Sequence, residues 1–428
     1  MALAFDPGVT VKILMLTPRF PFPPRRGDCI RAWGELTWLA DRHDLWLGSL
    51  AETPPSRDEV DEVRRRCRGV AVFARGPLTR LWRGGISLLR GATITEGYFA
   101  DDRLAAQIRS WSAEIGFDAV LVFSSGMAQY TPVAGAARSV LDMNDVDSFK
   151  WRRYSRSRSW LARGIYAVEG RRLAAAERNW TASHDVTVVV NERERARLAA
   201  IGAPGRSAVI RTGVEAPPAA HVVRRVAEQP IVGFVGSMSY APNIRAAEWF
   251  AEAVWPRIRA ARPDAQWWIV GRSPTRTVRR LARLPGVTVV GAVDCVAPLL
   301  ARFRVFVAPI RDDLGVQTKL IHALAHGVPS VCTPAASEGM DWTARPPFLV
   351  AGSPAEFAAA VTRVLVDDAL AADLSAAAIR NAAAFYDVRA QAAELEAVLV
   401  SAPGDACDAV ASGQPIVLAP STASRRAG

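Results

Sequence analysis

Lysine is scarce in this chain. Lysine and arginine together make up 53 of 428 residues, but lysine stands only at Lys12, Lys150 and Lys319. The formal net charge of +11 is therefore almost wholly arginine. That bias fits a GC-rich genome, and it also fits attraction to an anionic surface or substrate. Cysteine is sparse too: Cys29, Cys67, Cys295, Cys332 and Cys407 are scattered with no C-x-x-C spacing. This argues against a disulfide framework or a zinc site and suits a reducing cytoplasm. No run reaches the ~18 to 20 apolar residues that a membrane span needs. The opening "MALAFDPGVTVKILML" has no basic region ahead of its apolar run and no small-residue cleavage site, so no signal peptide is expected. Zinc-finger spacing and aromatic ribonucleoprotein signatures are missing as well, and no nucleic-acid partner is expected.

What the chain does have is alternation. Apolar content of 50% and charged content of 22% describe a globular protein. Its length is too great for one ordinary core and suits two domains of roughly 200 residues. Strand candidates in the first half are 11–17, 44–50, 70–75, 118–125, 139–145, 186–191 and 207–214. Those in the second half are 231–237, 266–272, 287–293, 304–310, 329–334 and 347–352. Most are continuous apolar runs without polar alternation. Such strands are covered on both faces, which predicts parallel sheets between helices. Helical periodicity fills the gaps, most clearly in "NIRAAEWFAEAVWPRIRAA". The predicted division is a Rossmann-like domain over 1–214, a proline- and alanine-rich linker over 215–230, a second Rossmann-like domain over 231–400, and a disordered tail over 401–428. The fold class is α/β, with two doubly wound domains facing each other across a cleft.

Ligands of such sheets bind at the carboxyl ends of strands, so the loops leaving strands are the places to look. In "TPRFPFPPRRGDCIRAWGEL", Gly27 and Asp28 precede a helix whose N-terminus favours an anion, and Asp28 could equally just cap that helix. In "FVGSMSYAPNIRAAEWF", Gly236 and Ser237 follow a strand; Asn243 is either an N-cap after Pro242 or a ligand contact. In "VFVAPIRDDLGVQTKLIHALAHGVPSV", Gly315 is expected to open a helix whose free amides could cradle a diphosphate. Lys319 is one turn in and can lean back toward a phosphate, with Arg311 flanking the same spot. His322 and His326 are four apart, but with no intervening glutamate and no third ligand the metal reading is weak. His326 before Gly327 reads as a helix end. Two segments set arginine beside tryptophan, "LTRLWRGG" near Arg80 and "WRRYSRSRSWLAR" from Trp151, a pairing suited to a bilayer interface.

The ordered set "ILMLTPRFPFPPRRGD", "VFSSGMAQY", "LDMNDVDSFKWRRY", "FVGSMSYAPN" and "GVQTKLIHALAHGVPSVCTPAASEGMD" resembles the GT-B glycosyltransferases of family four. It is most similar to bacterial sugar transferases of exopolysaccharide and PEP-CTERM systems. The resemblance covers about residues 10 to 400. It implies transfer of a sugar from a nucleotide-diphosphate donor, with retention at the anomeric carbon and without metal or cofactor. The donor would lie on the second domain, and a glycan or lipid-linked acceptor would lie against the first. The implied catalytic residues are Lys319 and Arg311. The implied donor contacts are Gly27, Gly236, Ser237, Asn243, Arg272, Gly315, Val316, Gln317, His322 and Glu338. The implied place of work is the cytoplasm, with possible contact at the inner face of the membrane.

The sequence departs from that family's pattern of two glutamates eight positions apart. Leu314 and His322 stand at those positions, with Asp312 and Asp313 nearby but out of register. The arginine and lysine usual after the second domain's first strand are missing from "GSMSYAPN", and "SSGM" stands where a histidine would be sought in the first. A degenerate, non-catalytic relative serving as a binding subunit at the membrane is therefore the alternative. Another GT-B enzyme, such as an epimerase or a phosphorylase, is a further one. A pyridoxal-phosphate phosphorylase would need a lysine for its cofactor, and Lys319 is a poor candidate.

Overall fold

The computed structural model describes residues 10–24, 26–154, 160–216, 229–312 and 315–400. The expected linker falls mostly, and the expected tail wholly, outside them. The chain divides into two compact units, one of residues 1–210 with 392–428 and one of residues 211–391.

The first unit is built on a seven-stranded sheet of order β3-β2-β1-β4-β5-β6-β7. Its strands are β1 (Lys12–Thr17), β2 (Asp44–Ala51), β3 (Gly69–Ala74), β4 (Ala119–Phe123), β5 (Arg138–Asn144), β6 (Val186–Val189) and β7 (Ser207–Val209). Every neighbouring pair is parallel. Strand β1 shows why the apolar runs are continuous. Ile13 and Met15 point into one hydrophobic layer, and Leu14 and Leu16 into the layer on the opposite face. With helices over both faces, neither face of the pleat can be polar.

The second unit is built on a six-stranded sheet of order β10-β9-β8-β11-β12-β13. These are β8 (Ile231–Val235), β9 (Gln266–Val270), β10 (Val287–Gly291), β11 (Val305–Ala308), β12 (Ser330–Cys332) and β13 (Leu349–Val350), again parallel throughout. The long helical stretch after β8 runs from Ala241 to Ala261 but widens to a π turn over Phe250–Val254. Pro256 follows that turn and has no amide hydrogen to give the ladder, which accounts for the slip.

The domain bounds differ from expectation at the chain's end. The last helix, Val388–Val400, was assigned by position to the second domain. From Ala392 onward it belongs to the first unit. Leu395, Val398 and Leu399 are buried in the layer that holds Ile13 and Leu36. Glu396 accepts from Trp38 Nε1 at 2.6 Å and meets His43 at 3.1 Å. Amphipathic periodicity shows that a helix has an apolar face but not which sheet it covers. At the other boundary, Arg211 already belongs to the second unit, where it pairs with Asp341 at 2.6 Å.

Candidate functional site

Both sheets reverse direction between their first and fourth strands, at β1/β4 and at β8/β11. Outside the carboxyl ends of such a pair the flanking connections diverge and leave a crevice. In the second unit the two loops at that point are the one after Val235 and the one after Ala308. They are the two loops picked out in the sequence of this unit.

The first loop turns tightly. Gly236 donates its amide to Val270 O at 3.0 Å. The next helix begins at Ala241 with Tyr240 at the N-cap position and no side-chain cap. Asn243 is therefore inside the first turn and is not the N-cap. Its buried amide is used otherwise: Nδ2 donates to Ser237 O at 2.9 Å, and Oδ1 accepts from Lys319 Nζ. A Cβ on Gly236 would stand 2.7 Å from Asn243 Nδ2, so the missing side chain is what lets the asparagine lie flat on the loop. Arg272 follows β9 with its side chain half-buried, and its carbonyl accepts from Met238 N at 3.0 Å.

The second loop corrects another expectation. Gly315 does not open the helix; it is a left-handed turn residue with φ 81°, and the helix spans Thr318–Ala325 with Gln317 at the N-cap position. Gln317 is buried and donates its side-chain amide to Gly315 O at 3.3 Å, which ties the turn to the helix start. Gly339 packs against the Gly315–Val316 backbone, where a Cβ would come within 3.0 Å of Gly315 O. Glu338, beside it, is exposed. Leu320, Ile321, Ala323 and Leu324 form the buried face of the helix. The helix ends as the sequence indicated. Gly327 adopts φ 62° and donates to Leu324 O at 2.8 Å, while Val328 donates to Ala323 O at 2.9 Å. That pair of hydrogen bonds is a Schellman motif with His326 at the C-cap.

Lys319 differs from the other two lysines. Lys12 is exposed, and Lys150 lies 2.8 Å from Asp145 and 2.9 Å from Asp147. Lys319 is half-buried over the Phe234 ring, 5.6 Å from its centroid, and donates to the neutral Asn243 amide. Burial pushes its ammonium down to about 7, and no carboxylate among the described residues raises it again. Half-buried His322 is pushed down to about 4, chiefly by burial and further by His326, so it is neutral at pH 7. Arg311 is exposed above the Trp249 ring. It lines a cavity of about 230 Å³ with Pro242, Arg245, Ala246 and Asp312. Arg245 was missed in the sequence because it lies inside the helix, beyond the "GSMSYAPN" segment. It pairs with Asp312 at 2.6 Å.

Gly27 belongs to the first unit, where it starts the Gly27–Ala40 helix. The expected cap does not form there. Arg26 holds the cap position, and Asp28 pairs with Arg19 at 2.5 Å. At the ends of β4 and β5, Ser124 (φ 77°) and Asn144 (φ 61°) adopt left-handed conformations that are costly for residues other than glycine. Ser125 Oγ donates to Asp147 at 3.1 Å, next to Lys150. This polar cluster comes from "FSSGM" and "NDVDSFK", segments that the sequence matched as motifs without roles.

Residues 229–367 match the family model described as glycosyl transferases group 1. The match lies within the second unit, and the two-sheet chain has the GT-B fold. Among solved structures, sucrose-phosphate synthase from Thermosynechococcus elongatus superposes with a TM-score of 0.67 at 18% identity, covering 90% of this chain and 97% of that one. HepE of Anabaena in complex with UDP gives 0.60 at 15% identity, over 90% and 98%. TarM gives 0.61 at 11% identity, over 92% and 99%. No curated protein matches the chain in sequence.

Proposed function

We propose that this chain transfers a sugar from a nucleotide-diphosphate donor to a glycan or lipid-linked acceptor, with retention at the anomeric carbon, in exopolysaccharide synthesis at the inner face of the cytoplasmic membrane. The observation that carries the reading is Lys319: a half-buried cation with no carboxylate partner among the described residues, one turn into a helix at the sheet's reversal point. Such a cation lacks a counter-charge, and a diphosphate supplies one. The first-turn amides of a helix have no intrahelical partners, and its dipole adds to the attraction. Val316, Gln317 and the turn at Gly315 bring backbone to the same place. Lys319 and Arg311 offset the charge that builds on the leaving diphosphate, so no metal is required. Neutral His322 can both donate to and accept from a ribose hydroxyl, the task given to a glutamate in the family pattern. Ser237, Asn243, Arg272 and Glu338 complete the donor side. The nucleotide complexes solved for Anabaena HepE, with UDP and with UDP-glucose, support a nucleotide-sugar donor.

The test is a thermal-shift panel of nucleoside diphosphates on the native chain and on Lys319→Ala. A ligand at a hundredfold excess over its Kd stabilises by about 2.7 kcal/mol. The expected result is a shift with one nucleotide that the variant loses. A flat response to every nucleotide would favour the non-catalytic binding subunit instead.

Proton linkage gives a second check. The folded pKa of Lys319 lies near 7, below the ordinary 10.5. Between those values the unfolded chain binds more protons than the folded one, so stability of the free protein rises with pH across that window and is lowest below 7. A bound diphosphate reverses the shift. Nucleotide binding at pH 8 should therefore take up close to one proton, and affinity should fall up to about tenfold per pH unit above 7. Calorimetry in two buffers of different ionisation enthalpy reads this directly; identical heats in both would count against Lys319 as the diphosphate partner.

A further inference from the structure

The Pro77–Leu89 helix of the first unit is mounted inside out. Leu78, Leu81, Trp82 and Leu89 are 81%, 58%, 69% and 89% exposed. Their spacing, with Gly85, places them on one stripe of the helix. The face turned toward the protein carries Arg80 and Gly84, both buried. This is not a loose orientation. Arg80 donates to Ala51 O at 2.6 Å and stacks over Tyr98 at 5.5 Å. Gly84 and Gly97 let the helix approach the Ile94–Phe99 helix so closely that a Cβ on either would collide, at 2.9 Å from Ile94 and 2.5 Å from Arg83 O. Arg172 of the long Trp160–Ser183 helix fixes the far end through Leu88 O at 2.6 Å and Ala92 O at 3.1 Å.

We propose that this stripe is a docking surface for an anionic lipid bilayer. The charge around it selects that occupant. From Gly76 to Thr95, the helix and its flanks, the sequence holds no carboxylate and three arginines. Arg80 is turned inward, but Arg83 stands on the helix and Arg90 follows it, exposed. Arg83 reaches the solvent-exposed Asp102 only at 3.5 Å, so it is free to turn toward a surface. Leucines and a tryptophan on one face with arginines at the flanks suit the boundary between headgroups and acyl chains. A nucleic acid offers nothing for the exposed leucines to bury against. Docking here deepens the reading of a lipid-linked acceptor. Its test uses neither donor nor acceptor, so either reading can fail alone.

The full chain is sedimented with phosphatidylcholine vesicles and with vesicles that also contain phosphatidylglycerol. The expected result is binding to the mixed vesicles, weakened by salt, with little binding to pure phosphatidylcholine. Leu78→Ser with Trp82→Ser and Leu89→Ser should lower the bound fraction tenfold or more, and Arg90→Glu should lower it with the stripe intact. All four positions face solvent, and unchanged thermal melts confirm that the variants fold. The proposal is overturned if the native chain ignores both vesicle types or if the triple variant binds as well as the native. It is also overturned if light scattering shows the stripe holding a second copy of the chain in place of lipid.

Discussion

Lys319→Ala is expected to lower kcat/KM by about 10²- to 10³-fold, the usual cost of removing one preorganised donor from a developing negative charge. The more telling variant is Lys319→Met. Methionine keeps most of the side-chain volume over Phe234 and removes a cation that burial has pushed down to about 7. The native protein carries that desolvation as a cost. Lys319→Met should therefore be as stable as the native chain or more so, and as inactive as Lys319→Ala. The split between melting temperature and turnover is the signature of a site residue. A merely structural lysine would lose both together. Lys319→Arg adds a third reading, because a guanidinium does not titrate in this range. Whatever activity it keeps should lose the fall above pH 7. An arginine variant with the native pH profile would show that the titrating group is elsewhere.

The strands were the most legible part of the chain. Each of the thirteen among the described residues overlaps an apolar run visible in the sequence, with β2, β3 and β5 overrunning theirs by one residue, because parallel strands are covered on both faces and cannot hide among polar residues. Helix ends were legible where the signal is local: His326-Gly327 closes its helix through backbone bonds that only a left-handed glycine makes cheaply. Helix starts were less so. Gly315 looked like an opening residue, but the turn it makes is held by Gln317 and by Gly339, and nothing local encodes the second contact. Of the two readings of Asn243, the cap fails for a related reason. "APN" suggests a cap, but Ser237 and Lys319, the latter 76 positions away, draw the amide to other work. The candidate lysine could be found by its scarcity. That no carboxylate among the described residues pairs with it could not, since that depends on the segments folded around it. Arg245 escaped because it lies inside a helix, beyond the "GSMSYAPN" loop, and so drew no notice as a loop residue.

Gly271→Ala should be the most damaging single methyl in the second unit. Gly271 has φ 151°, in a region that side chains avoid, and an ideal Cβ there would stand 1.7 Å from Gly236 O. The collision is with backbone, so no rotamer relieves it. Neither strand end is free to retreat: Gly236 N is bonded to Val270 O at 3.0 Å, and Gly271 N to Gly291 O at 2.8 Å. To admit the methyl, the ends of β8, β9 and β10 must part, at a cost of about 3 kcal/mol or more. The loop that moves is the one whose Ser237 carbonyl holds Asn243, and Asn243 in turn holds Lys319. Stability and nucleotide binding should therefore fall together, unlike the split expected for Lys319→Met. Gly164→Ala is the matched control. It lies within the Trp160–Ser183 helix with nothing within 4 Å of its Cβ, and there the same methyl should stabilise by up to about 1 kcal/mol. Chemical denaturation of both variants with a nucleotide titration decides the matter. If Gly271→Ala melts like the native chain, the two strand ends are not in contact, and the loop carrying Gly236 is positioned by something other than the close approach of two glycines.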